Sequence, residues 1–184
     1  MITKWATDIA TKLTKISSED ICQEQLDIYI YGLECFFNTF ITITLLTLWG
    51  ILSHTLGFTF LWVVAFSLLR HCTGGIHAPT QFTCIAGSIL LGCLNKWTII
   101  YIKQTLRGYI LLMLMCILFA PASTNKISLS SKQKKIYKFI SVIIVIMGLL
   151  LYCKIGATKL TSTIFYSFWC VTILMILEQI RKRN

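Results

Sequence analysis

The chain has 184 residues, of which 56% are hydrophobic and only 13% charged, with a mean hydropathy of +0.75. A water-soluble domain carries about 25% charged residues, so the composition excludes one and points to a single helical domain, 1–184, in a bilayer. Basic residues outnumber acidic ones 17 to 7, yet they fall between apolar segments. There they set topology and attract anionic lipid or an acidic peptide, and nucleic acid is not the expected partner.

In chain order, residues 2–16 read as an amphipathic helix. Trp5, Ile9, Leu13 and Ile16 share one face while Lys4, Lys12 and Lys15 stay polar, the pattern of a helix lying in the membrane interface. The same basic residues, with Asp8, interrupt any signal-peptide apolar run. Ser17 and Ser18 followed by Glu19 and Asp20 predict the cap and acidic first turn of a second helix. This helix leads through Leu26 and Ile30 into the membrane, and 2–30 is taken as the amphipathic interfacial region. From Cys35 to Leu69 there is no charged side chain, room for spans near 33–52 and 56–70 with a turn at Ser53-His54-Thr55.

A third apolar segment runs from Thr80 to Leu94, ended by Asn95 and Lys96, and a fourth from Gly108 to Ala120. A full span needs roughly 17–25 residues, so the third is short enough to be re-entrant. Residues 121–138 read as a basic cytoplasmic loop carrying Lys126, Lys132, Lys134, Lys135 and Lys138. Two more segments follow, near 139–153 and 160–177, with a turn at Lys154-Ile155-Gly156. The expectation is an all-α membrane protein with about six transmembrane or re-entrant helical segments behind an N-terminal amphipathic interfacial helix. The alternative is four spans plus two re-entrant or interfacial pieces. The positive-inside rule puts the lysine-rich stretch, Arg181-Lys182-Arg183 and residues 70–80 in the cytoplasm. Lys96, Lys103 and Arg107 in the 95–107 outer loop run against that assignment.

One stretch breaks the lipid-like pattern: Arg70-His71-Cys72-Thr73-Gly74-Gly75-Ile76-His77-Ala78-Pro79, with Cys84 following. Polar, reactive groups at membrane depth are costly and mark function by default. A cysteine and a histidine within reach of each other suffice for thiol nucleophilic catalysis. On one straight helix His77 and Cys84 would lie about 10.5 Å apart along the axis, too far for a nucleophile–base contact, so a break is required. Pro79 supplies it. A helix beginning near Pro79 puts Cys84 in its second turn, where the helix N-terminus favours a thiolate. Gly74 and Gly75 let the His77 loop fold back. Other readings remain open: a loop histidine and a packed cysteine, a zinc or copper site of His71, Cys72, His77 and Cys84, or a small transporter or assembly protein whose 70–84 loop binds substrate. The eight cysteines include no CxxC pair, and no metal or other cofactor is expected.

The GG-x-H-A-P sequence followed by Cys84 resembles the signature of the accessory gene regulator B (AgrB-like) family. So do the total length, the amphipathic N-terminal region and Phe119-Ala120-Pro121-Ala122 before a lysine-rich stretch. The resemblance implies a bacterial cell-membrane cysteine endopeptidase that matures quorum-sensing propeptides, with its active site toward the cytoplasm. Cys84 would be the nucleophile and His77 the general base. The substrate would be a small propeptide with an amphipathic leader and an acidic tail, cut through a thioester and closed into a thiolactone or lactone ring. A homodimer is implied as well. Arg70, Gly75 and Glu34 are supporting candidates: Arg70 for a carboxylate or oxyanion, Gly75 for backbone geometry, Glu34 to orient His77 or pair with Arg70. Lys132, Lys134, Lys135 and Lys138 would attract the acidic tail.

Overall fold

A computed structural model describes residues 2–17, 22–74, 80–101, 104–122 and 130–183. These form seven helices: α1 (Ile2–Ser17), α2 (Gln23–Leu52), α3 (Leu56–Thr73), α4 (Gln81–Tyr101), α5 (Leu106–Phe119), α6 (Ser131–Ile155) and α7 (Lys159–Arg183). Five of them (α2, α3, α4, α6 and α7) are long and apolar enough to cross a bilayer, and α5 is shorter. The chain is a multi-pass, all-α membrane protein.

Polarity is inverted relative to a soluble domain. Large apolar side chains such as Phe36, Phe40, Phe60, Leu90 and Met147 face outward, while Thr59, Asn95, Gln104, Thr161 and Glu178 are buried. Lipid tails reward apolar surface, so helices associate through close packing and interior hydrogen bonds instead. α7 is the hub and packs on α3, α4, α5 and α6. The main core joins Leu69 of α3, Tyr109 and Leu112 of α5, Val145 of α6 and Phe165 and Phe168 of α7. Interior polar groups pair across helices: Gln104 Nε2 donates to Thr161 Oγ1 at 2.7 Å, and Tyr166 Oη to the Leu91 carbonyl at 3.1 Å.

Both expected turns are present. Ser53-His54-Thr55 links α2 to α3 with Ser53 N donating to Trp49 O, and Gly156, at φ 71°, ends α6. Several boundaries differ from the sequence reading. α2 is one helix from Gln23, and the predicted cap residues Ser18, Glu19 and Asp20 lie outside the described residues. α4 does not stop at Asn95. Its side chain is buried and donates Nδ2 to Phe58 O at 3.4 Å, so the helix continues to Tyr101. The short element is therefore α5 and not the third segment.

The basic stretch 121–138, read as a loop, is helical from Ser131. Ser130 Oγ accepts from Gln133 N while Gln133 Oε1 accepts from Ser130 N, a capping box that starts α6 before the lysines. Ser-x-x-Gln is a legible helix start. Among the described side chains of α1, Ala6 and Ala10 are buried in a helix packed on α2, which leaves Trp5, Ile9 and Leu13 outward.

Close packing predicts opposite outcomes at two helical glycines. A Cβ on Gly108 would lie 2.5 Å from Phe165 Cζ, whereas Gly87 has open space. Gly108→Ala should lower stability by about 1–3 kcal/mol through overpacking. Gly87→Ala should be neutral or stabilising by up to about 1 kcal/mol. Thermal unfolding of detergent-solubilised variants reads both signs.

Candidate active site

Cys84 is the fourth residue of α4. The helix starts because Thr80 and Thr83 cap it reciprocally: Thr83 N donates to Thr80 Oγ1 at 3.2 Å and Thr80 N to Thr83 Oγ1 at 3.4 Å. Cys84 N then donates to Thr80 O at 3.2 Å, closing the first helical turn. The helix thus starts at Gln81, near Pro79 as expected, with the threonine pair as its cap. Gly75, His77 and Pro79 lie outside the described residues. The structure defines what stands on either side of them, Gly74 and Thr80, and says nothing of their own placement.

Gly74 is held tightly. Ala122 N donates to Thr73 O at 2.8 Å, and Gly74 and Ala122 form a parallel bridge. Gly74 has φ 67°, and a Cβ there would sit 2.5 Å from Ala122 O. Any side chain at residue 74 would be strained and would break the contact. Ala122 is fixed in turn by α7: Met175 packs with Ala120 and Ala122, and Gln179 Nε2 donates to Phe119 O at 3.2 Å. The sequence reading treated Gly74 as a source of freedom; in the fold it is a fixed anchor for the segment that follows.

Arg70 lies in the last turn of α3, partly buried, and its guanidinium interacts electrostatically with Cys84 and with Glu178. Glu178 is fully buried on α7 and pairs with the half-exposed Arg181 at 3.1 Å. Sequence reasoning passed over Glu178 and considered Glu34 for Arg70. Glu34 sits partly buried on α2, facing Tyr31 electrostatically. The overlooked signal was a carboxylate placed directly after the apolar run Ile173–Leu177.

His71 is exposed, edge-on to Tyr137 at 6.3 Å, and Cys72 is buried. Among the described residues no three metal-ligating side chains come together. Lys132, Lys134, Lys135 and Lys138 lie within the first eight residues of α6, apart from Cys84 along the chain but at the same end of the bundle, the end that Tyr137 shares with His71.

The accessory gene regulator B family profile matches residues 3–180. The chain belongs to that family. Membership places it in the accessory gene regulator quorum-sensing system. It is similar to accessory gene regulator protein B of Staphylococcus carnosus, 29% identical over 119 residues, or 61% of each chain. The chain thus matches less than two thirds of that relative's length. No solved structure matches. Set against family membership, the geometry brings Cys84, Arg70 and Glu178 to one end of the bundle and puts the backbone latch of Gly74 immediately before the histidine-bearing segment.

Two outcomes follow. Gly74→Ala should cost the latch roughly 1–3 kcal/mol of backbone strain, so the Ala122 amide should exchange hydrogen roughly ten to a hundred times faster by mass spectrometry. Unchanged exchange would refute the latch. Arg181→Met should destabilise the protein more than Glu178→Gln, because the first takes the cation at 3.1 Å from a fully buried carboxylate and leaves it only the field of Arg70, whereas the second keeps a polar amide in place and leaves a half-exposed guanidinium that water can reach. Both should fall below the roughly 3–5 kcal/mol of a fully buried broken pair, measured by unfolding in detergent.

Proposed function

We propose that this chain is a membrane cysteine endopeptidase and peptide cyclase, with Cys84 as nucleophile and His77 as general base and acid. The carrying observation is the setting of Cys84, in the first helical turns of α4 at the end of the bundle where α3 ends with Arg70 in its last turn. The preceding segment carries the only histidine between His71 and Cys84 and follows an anchored Gly74. Family membership supports the same assignment.

His77 removes the Cys84 proton, and the thiolate attacks the carbonyl at the C-terminal side of the future ring. Negative charge collects on the carbonyl oxygen, where the Arg70 cation stabilises it. The C–N bond breaks as the imidazolium gives its proton to the leaving amine, which departs as the N-terminus of an acidic tail. The acyl group stays on Cys84 as a thioester. A cysteine thiol within the peptide then loses its proton to His77 and attacks. The new thioester closes the ring, and Cys84 leaves as a thiolate and regains that proton. The exchange is nearly even in energy, so its yield depends on excluding water, which a site within an apolar helix bundle favours.

Lys132, Lys134, Lys135 and Lys138 sit at the N-terminal end of α6, where the helix dipole disfavours cations. An acidic substrate tail, or a topology-setting role on the cytoplasmic side, offsets that cost. Gly75 serves the backbone around His77, and Glu34 remains a supporting candidate on α2.

The test is reaction of the purified, reconstituted protein with the propeptide encoded beside it, followed by intact-mass analysis. Wild type should yield a thioester adduct and a released tail. Cys84→Ala and His77→Ala should lose both, by at least about a thousandfold in rate, while Cys72→Ala should retain them. Normal processing by Cys84→Ala would sink the proposal. Loss with Cys72→Ala, together with metal uptake by wild type, would favour a metal site.

A further inference from the structure

Cys84 lines a cavity of about 150 Å³ between α2, α3 and α4. The helices run alternately, so its walls can be put in depth order. Asn38, Ser67 and Cys84 stand near the end of the bundle that holds Arg70. Leu46, Trp62 and Ser88 lie farther along each helix, toward the membrane interior. Leu46 and Trp62 are each 1% exposed and close the deep end. Two polar atoms on this wall, Asn38 Oδ1 and Trp62 Nε1, are buried with no hydrogen-bond partner among the described residues. Unmet buried polar groups are uncommon and call for an explanation. The cavity opens onto the nucleophile, so a bound substrate supplies one.

We infer that this cavity is the specificity pocket for the residue whose carbonyl Cys84 attacks, and that it takes one apolar side chain of leucine or phenylalanine size. The inference rests on the endopeptidase reading and adds to it the pocket and the substrate class. The pocket is partly open, since Ile43 is 43% exposed, and its space of about 150 Å³ matches a molecule of benzene size, which is what it takes without repacking its walls. The apolar lining of Leu46, Val63 and Phe66, with Ile43 at the rim, sets the chemistry. Asn38, level with Cys84, offers Oδ1 to the backbone N–H of that same residue.

The probes are phenyl thioesters of N-acetylated glycine, alanine, leucine, phenylalanine and tryptophan, given to the full chain in proteoliposomes. The Cys84 thiolate attacks the thioester carbonyl, the new sulfur–acyl bond forms as the bond to thiophenolate breaks, and thiophenolate takes up the proton that Cys84 released. Acylation at residue 84 is read by peptide mapping against Cys84→Ala. Leucine and phenylalanine should react at least about tenfold faster than glycine and also faster than tryptophan. A rise continuing through tryptophan would report membrane partitioning and overturn the pocket, as would a flat series.

Ser88→Leu, which shrinks the cavity, should erase the preference for leucine and phenylalanine over glycine, and Leu46→Ala should admit tryptophan. The wild-type series decides the matter even where a variant does not fold. Replacing N-acetyl-leucyl by 4-methylpentanoyl, which lacks the N–H, should slow wild type roughly tenfold and Asn38→Leu hardly at all. Acylated Cys84 without selectivity refutes the pocket alone, whereas absence of acylation by every probe refutes the endopeptidase reading and the pocket with it.

Discussion

The hydrogen bond from the Ala122 amide to the Thr73 carbonyl is the contact on which the functional end of this bundle depends. It joins the end of α3 to the segment after α5 at the point where the chain leaves α3 for the histidine-bearing segment. Gly74 makes the contact possible because it accepts a positive φ and lets Ala122 O approach where a Cβ would stand. α7 holds the other half through Met175 and Gln179. Three elements far apart in sequence thus fix one end of a short segment whose other end is the capped start of α4. A nucleophile and base work only when their separation is maintained to a few tenths of an ångström, and backbone hydrogen bonds give that control without placing another charge in the membrane.

Charge at this end is arranged economically. Arg70 and Glu178 come from α3 and α7, the most extensively packed helix pair, and Arg181 extends the group toward water. A buried carboxylate is tolerable only beside cations, so Glu178 ties the position of α7 to that of the α3 terminus. Met175 and Gln179, on either side of Glu178 in α7, support the Ala122 contact. The Arg70 cation and the anchor of Gly74 are therefore not independent, and a shift of α7 would disturb both. Farther from this end, polar pairs such as Gln104 with Thr161 replace the hydrophobic effect that lipid removes, while small residues such as Gly108 let helices approach closely.

Much of the architecture was legible because membrane sequences are constrained by length and charge. The uncharged run 35–69 has room for two spans and a turn, and the turn falls at Ser53-His54-Thr55 as its composition suggests. The misread boundaries share one cause. Polar residues usually mark segment ends, so Asn95 and the lysines of 132–138 read as boundaries. Asn95 instead finds a carbonyl partner inside the bundle, and the lysines remain outside on a helix whose capping box starts earlier. Local polarity does not distinguish a chain leaving the membrane from a polar side chain paired within it.

The sequence by itself determined the helical membrane class, the family, the candidate nucleophile and base, and the need for a break between them. Composition, span length and a compact motif are local properties, readable without knowing which helices touch. Tertiary structure decided that Glu178 and not Glu34 faces Arg70, that Gly74 is an anchor, and that a cavity lies beside Cys84. Each depends on segments many residues apart being brought to one end of the bundle: Arg70 within the field of Glu178, Gly74 bridged to Ala122, and Asn38 with Trp62 and Cys84 around one space. Hydropathy and periodicity record which face of a helix is apolar. They do not record which neighbour that face meets, and in a bilayer, where lipid-facing and protein-facing surfaces are similarly apolar, packing alone makes that choice.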